Sequence, residues 1–215
     1  MLGSTSRTRM STRLNFLPDE RFLNLRASLR ERLQKMARVI TPANFSSLLD
    51  PRIESVLRDA FQGVGAHEGS IWLPDADRRY LVVAYNSGPN AAHILGFKQP
   101  LTEGIASTAL VSEQGFAENE VYRHELHSGL LDNKLGVTTY AMIAVPFYFV
   151  NACRGVITCV QLFQVHRKDG VTLPANDVPR GFNLDNLNVL KRLSLLLTEL
   201  IDYRLLRTTV GLESH

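Results

Sequence analysis

The stretch LTEGIASTALVSEQG, residues 101–115, carries the most suggestive local chemistry in the chain. Thr102 is placed to cap a helix N-terminus, Glu103 suits the positive helix end, and Gly115 fits a left-handed residue closing the helix. A short capped helix explains all three. It does not require Gly104 in the first turn with Ala106, Ser107 and Ala109 behind it. Small side chains let a helix lie close to a sheet or a ligand, and free first-turn amides can hold an anion or a carbonyl. On local residues alone, capped helix and pocket edge both stay open.

Two other groupings could do chemistry. In VYRHELHSG, His124 and His127 stand at i and i+3 around Glu125, a spacing that offers two metal or haem ligands from one helical face. No third ligand accompanies them, so a solvated polar helix is expected there and no metal is assigned. Cys153 and Cys159 would be roughly 20 Å apart in a strand rising about 3.3 Å per residue, beyond disulfide reach. They read as reduced thiols without zinc or redox-pair spacing. Trp72, inside a strand pattern, reads as core. His67, His93 and His166 stand alone near turns. There is no phosphate-cradling glycine loop, dinucleotide fingerprint, Ser-His-Asp signature or helix-turn-helix segment. No catalytic residue is therefore assigned, no enzyme activity is expected, and the cofactor is unknown.

The chain that must position these groups has 215 residues and is 45% apolar, enough for one sizeable core with appendages. No run of about 18 uncharged apolar residues occurs, so no membrane span is expected and the reading is cytoplasmic. Of 24 basic residues, Arg7, Arg9 and Arg13 fall in the first 17 positions, leaving 21 basic against 21 acidic residues beyond them. A near-neutral folded part argues against nucleic acid as a partner. Residues 1–17 read as a disordered basic leader with a faint organellar transit-peptide composition, and Met10 is a candidate start.

Phe22, Leu25, Leu29, Leu33, Met36 and Ile40 recur at steps of three and four, predicting an amphipathic helix over about 18–40 in an N-terminal segment 18–44. Pro18, Asp19 and Glu20 suit its first turn. A second helix is expected over 50–63, ending in the glycines of GVGA. GSIWLP and YLVVAYN predict a hairpin across PDADRR, and TTYAMIAVPFYF and RGVITCVQLFQ a second pair across VNAC, apolar on both sides as central strands would be. Pro146 implies an edge or a bulge in the first strand of that pair. Residues 183–208 predict a long helix striped by Leu187, Leu190, Leu193, Leu197, Leu200 and Ile201, with Leu184, Leu195, Leu196 and Leu205 widening the stripe. That width beside the first helix predicts a homodimer, the alternative being that both helices cover one sheet. The class is α+β: an antiparallel sheet with helices on one face and a loop-rich excursion over the other.

The ordered set EGSIWLPDADRRYLVVAY, PLTEGIASTALVSEQGFAENEVY, TTYAMIAVPFYFVNACRGVITCVQLF and FNLDNLNVLKRLSLLL resembles a GAF domain over roughly residues 45–205. The core would span 45–182, the helix 183–208 would complete it and form the dimer interface, and 209–215 would be a tail. GAF domains are small-molecule-sensing modules, often dimeric through flanking helices. The resemblance implies a pocket edged by residues 102–110, with residues 117–140 supplying the rest. Candidate pocket residues are Phe97, Thr102, Gly104, Ser107, Asn119, Tyr122, His124 and Tyr140, taking an unidentified small ligand whose occupancy is signalled to a downstream partner.

Departures narrow the implied ligand. In the dispersed Asn-Lys-Phe-Asp-Glu signature of cyclic-nucleotide binders, Gln164 and Val165 roughly take the first two places, Phe182 and Asp185 remain, and Asn186 replaces the glutamate, which disfavours a cyclic nucleotide. Residues 86–140 contain no cysteine for bilin attachment. The sulfoxide-reductase branch relies on cysteines beside the pocket, and only Cys153 and Cys159 are available here; buried strand cysteines usually act as small hydrophobes. A third reading is a ligand-free scaffold for dimerisation or docking, its pocket filled by Phe97, Phe116, Tyr122 and Tyr140.

Overall fold

The computed structural model describes residues 20–163 and 178–212. Helix α1, Glu20–Arg38, turns its half-buried Leu29, Leu33 and Met36 inward, while Leu25 on the same stripe is exposed. Helix α2, Pro51–Gly63, starts where the residue chemistry dictates. Asp50 Oδ1 accepts the N–H groups of Arg52 and Ile53 at 3.0 and 2.9 Å, and Pro51 needs no N–H at the first position. Strands β1, Glu68–Pro74, and β2, Tyr80–Asn86, form the first hairpin. The excursion then runs through α3 (Ala91–Ile94), β3 (Lys98–Pro100), α4 (Ile105–Ser112), β4 (Phe116–Asn119) and α5 (Leu130–Leu135). The second hairpin, β5 (Thr139–Phe149) and β6 (Ala152–Leu162), leads to α6, Leu184–Thr209.

The six strands form one antiparallel sheet in the order β3-β2-β1-β6-β5-β4. Strand alternation splits the core in two. Ile71, Leu73, Ile143, Val145, Phe147, Ile157 and Cys159 pack under α1, α2 and α6. Trp72, Ala144 and Val156 face α3 and α4 on the other side. The fold is α+β, with helices on one face and the excursion on the other. Gly69 of β1 lets α2 come close, since a Cβ there would meet the Phe61 ring.

Strand β5 outruns its neighbour: β4 pairs it only from Ala141 to Ala144, so among the described residues no strand lies on the outer side of its later part. Pro146 lies in that stretch, and β5 is irregular just beyond it, between Phe147 and Tyr148, so an edge at the proline and a bulge close by are both present. Its missing N–H forfeits no ladder bond, because its carbonyl points outward to α6. Three α6 side chains one turn apart satisfy this edge. Ser194 Oγ donates to Pro146 O at 2.8 Å, Thr198 Oγ1 to Tyr148 O at 2.7 Å, and Asp202 Oδ1 accepts the Val150 N–H at 2.7 Å. Val150 and Asn151 make the two-residue turn with φ of 49° and 55°, an arrangement a β-branched residue resists. Helix α6 itself starts with Asn183 and Asn186 capping each other's backbone N–H, both at 3.0 Å.

The α6 stripe divides as its exposure dictates. Leu187, Leu190, Leu193, Leu197, Ile201 and Leu205 are buried, whereas Leu184, Leu195 and Leu196 stay exposed. VYRHELHSG is no polar helix. Only residues Val121–Arg123 make a 3-10 turn, and the His124 ring accepts the Leu126 N–H at 3.2 Å.

Thr198→Val should leave the Tyr148 carbonyl short of a partner and lower the urea midpoint by the equivalent of about 1–3 kcal/mol with unchanged slope; an unchanged midpoint would show that solvent already satisfies this edge. Burial raises the Asp202 pKa above the ordinary carboxylate value, opposed by the Val150 N–H and Arg154. A carboxyl that holds its proton more tightly when folded favours the fold at pH below about 4, and that contribution is lost as pH rises through the raised value. Asp202→Asn keeps the acceptor without the charge. Urea midpoints from pH 4 to 7 should therefore decline less in Asp202→Asn than in wild type, and a steeper decline would refute the assignment.

Candidate functional site

The cavity lies between the excursion-facing side of the sheet and the elements that cross it. Its floor comes from strand alternation: Glu68, Ser70 and Trp72 on β1, Thr158, Val160 and Leu162 on β6, Thr139 and Met142 on β5. Its roof is Ile94, the turn from Gly104 to Ala106, and residues 127–137 around α5. The cavity volume is about 50 Å³. Broader, open depressions exist between α2 and α6 and along β2, away from α4.

Polar groups are concentrated in this space. Glu68, at 5% exposure, accepts from Asn86 Nδ2 at 3.2 Å and Asn90 Nδ2 at 2.5 Å, and Asn86 also donates to Ser70 Oγ at 2.9 Å. Trp72 Nε1 donates to Thr158 Oγ1 at 3.0 Å, so the indole is both core and wall. Asp132 accepts from the Thr139 N–H and hydroxyl at 2.8 and 2.7 Å and lies 3.2 Å from His127 Nε2, which pins the roof loop to the start of β5. Ser128 Oγ is fully buried and, among the described residues, has no hydrogen-bond partner.

Helix α4 begins later than its sequence suggests. Gly104, not Thr102, is the N-cap, with φ of 90° and no side-chain cap, and Thr102 is exposed. The reason is a brace upstream. Gln99 Nε2 donates to Glu103 O at 2.9 Å and Ser107 Oγ at 3.4 Å, while Ser107 Oγ donates to Pro100 O at 3.1 Å, folding residues 99–107 into a corner. A side chain at Gly104 would strike Gln99 and approach Ser128, so this position needs glycine for its φ and its space. Glu113, at φ of 54°, provides the left-handed end expected of Gly115. Gly115 instead lies where a Cβ would crowd Lys191 of α6. Behind the first turn, Ala109 is buried against the sheet, as a small-residue face allows.

Of the residues singled out from sequence, Gly104 lines the cavity. Ser107 is buried just behind it. Phe97 packs edge-on to Trp72 at 6.3 Å, beneath the Lys134 ammonium. Asn119 lies outside: its amide clamps Phe182, accepting the N–H at 2.8 Å and donating to the carbonyl at 3.0 Å. Tyr122 and Tyr140 close on Phe163 at 5.4 and 5.3 Å rather than on the cavity, and His124 lies in the loop beyond it. The filling set Phe97, Phe116, Tyr122 and Tyr140 does not line the cavity. Gln164 and Val165 fall outside the described residues, while Asn186 serves as a cap.

Neither thiol reaches the cavity. Cys159 is on the helix-facing side of β6, and burial pushes its pKa far up. Cys153 is half-buried at the far end of β6, also with a raised pKa from burial. Among the described residues, no group of three potential metal ligands occurs and no helix is long and apolar enough to cross a membrane. Sequence reasoning missed Glu68, Ser128 and Asp132, and weighed His127 only as a metal or haem ligand beside His124. The signal available for the first was the polar alternation of Glu68 and Ser70 before Trp72.

No family model matches the sequence, and no curated protein is similar to it. Solved structures are similar in fold. The GAF domain of a phosphoenolpyruvate-protein phosphotransferase from Coxiella burnetii superposes with a TM-score of 0.54 at 12% identity, covering 87% of this chain and 96% of that one. Its counterpart from Acinetobacter gives 0.53 at 15% identity, with the same coverages of 87% and 96%. A type II free methionine-R-sulfoxide reductase from Thermoplasma acidophilum gives 0.51 at 12% identity, covering 80% and 94%. With its antiparallel sheet, one-sided helical layer and opposing excursion, the chain has a GAF-like fold.

Proposed function

We propose that the chain is a sensory or regulatory module that binds a small molecule between its sheet and the α4–α5 excursion and conveys occupancy to α1 and α6. The observation that carries this reading is the cavity itself: a partly covered space floored by the sheet and lined by Glu68, Ser70, Thr139, Thr158 and Ser128. Polar groups gathered around such a concavity favour a specific ligand over an all-apolar filling. Strands β5 and β6 present Met142, Thr158 and Val160 to the cavity and Ile143, Val145 and Cys159 to the helical layer. A ligand that shifts the floor therefore acts on the seat of α6, provided it favours one arrangement over the other.

The size of the cavity favours a second reading for any large ligand. Pockets for drug-sized molecules run to roughly 300–1,000 Å³, against about 50 Å³ here. A cyclic nucleotide or haem would have to displace the roof, and without such movement the fold is a scaffold. No thiol lines the cavity, so nothing in the site supports sulfoxide reduction.

Homodimerisation fits α6. Val189, Leu196 and Tyr203 recur every seven residues at 40%, 43% and 60% exposure, beside half-buried Leu200, the spacing of a helix-pairing seam that a second copy matches by symmetry.

Calorimetric titration of the intact chain with amino acids, 2-oxo acids, cyclic nucleotides and haem should give saturable heat with a compact ligand; no heat with any of them would overturn the sensory reading in favour of the scaffold. Light scattering should report about twice 24.1 kDa for the intact chain, and Leu196→Glu should give monomers. A stable wild-type monomer at micromolar concentration would remove the dimer.

A further inference from the structure

Three features of the cavity bear on the charge of what it takes. The first is Glu68. It is almost fully buried, its described partners are the neutral amides of Asn86 and Asn90, and among the described residues no cation pairs with it. Removing a carboxylate from water is costly unless something positive replaces the water. Two amide donors hold its oxygens in place and leave acceptor capacity on both.

The second is the first turn of α4, where Gly104, Ile105 and Ala106 line the same cavity. The N-cap is a glycine with no side chain to accept a bond, and the amides of Ile105, Ala106 and Ser107 meet no acceptor among the described residues. A helix start left so is a positive end with free donors. The third, independent of the helix, is Ser128. Its hydroxyl is wholly buried and has no partner among the described residues, it lines the cavity, and its Cβ is 3.3 Å from where a Gly104 side chain would begin. A buried hydroxyl is seldom left without a bond, so its position beside three free amides points to a missing acceptor.

One cavity therefore offers a carboxylate from β1 and an anion-accepting corner from α4 and Ser128, with Ile94, Leu131, Leu135, Met142 and Leu162 as apolar walls. We infer that it binds a small α-amino acid as its zwitterion, the ammonium on Glu68 and the carboxylate on the α4 amides and Ser128 Oγ. This rests on the sensing role proposed for the same cavity. At about 50 Å³ the space admits roughly four waters at 10–15 Å³ each. Glycine and alanine are the amino acids of that scale, and longer side chains require α5 to move outward.

The test is calorimetry and thermal unfolding of the full chain with glycine, alanine, ethylamine, propionate, a 2-oxo acid and a cyclic nucleotide. Glycine or alanine should bind saturably and raise the unfolding temperature, with ethylamine and propionate at least 100-fold weaker because each leaves one charged end unmatched. Glu68→Gln should weaken alanine at least tenfold. Ser128→Ala should weaken it several-fold while the ligand-free unfolding midpoint stays level or rises, because the variant removes an unpaired buried hydroxyl; that readout stands even if Glu68→Gln fails to fold. Ethylamine or propionate binding as tightly as alanine overturns the inference, as does unchanged alanine affinity in Ser128→Ala. Binding of the 2-oxo acid or the nucleotide without any amino acid overturns it while leaving the sensing role intact. Silence from every compound removes both.

Discussion

The structure depends on how the outer edge of β5 is satisfied where β4 no longer covers it. A strand edge inside a domain cannot leave its carbonyls and amides unmatched. Here a helix takes the place of a strand: Ser194, Thr198 and Asp202 reach Pro146 O, Tyr148 O and Val150 N in succession. The spacing works because one helical turn advances about 5.4 Å while two strand residues advance about 6.6 Å. The irregularity in β5 near Tyr148 lies within this stretch. The same ladder fixes α6 against the sheet, and α6 supplies much of the lower core.

That docking gives the sheet two different faces with one set of strands between them. Alternate residues of β5 and β6 belong to the helical core and to the cavity floor. The helical side is largely apolar, with Phe45, Phe147 and Phe149 among its aliphatic residues, whereas the cavity side keeps Glu68, Ser70, Thr139 and Thr158 buried with hydrogen bonds. Buried polar networks of this kind tolerate little displacement, since each lost bond exposes an unmet desolvation cost.

The elements were largely legible and the site largely was not, for different reasons. Helix α2 follows from Asp50, Pro51 and its apolar period, and the hairpins from apolar strands around turn residues; these are local effects. Tyr140 was taken for the pocket by bulk and position. The register shift between Thr139 and Ala141 puts Thr139 at the cavity and Tyr140 among the helical-side contacts, where it meets Phe163. Thr102 has the chemistry of a cap, yet the Gln99–Ser107 brace moves the helix start to Gly104, and no spacing rule foresees a brace. Glu68 and Ser128 look like ordinary surface residues in one dimension.

By itself the sequence determined the α+β class, the order of helices and strands, and the amphipathic stripes of α1 and α6, and its family resemblance directed attention to the segment around residue 104. Hydrophobic period and turn chemistry act over a few residues, so they survive in one dimension. Only the tertiary structure decided that Glu68 is buried with no cation among the described residues paired to it, that Ser128 comes beside the first turn of α4, and that α6 side chains bond the edge of β5 beyond β4. Each is a meeting of segments distant in the chain. Burial, charge compensation and hydrogen-bond satisfaction are properties of such meetings, which no single segment carries.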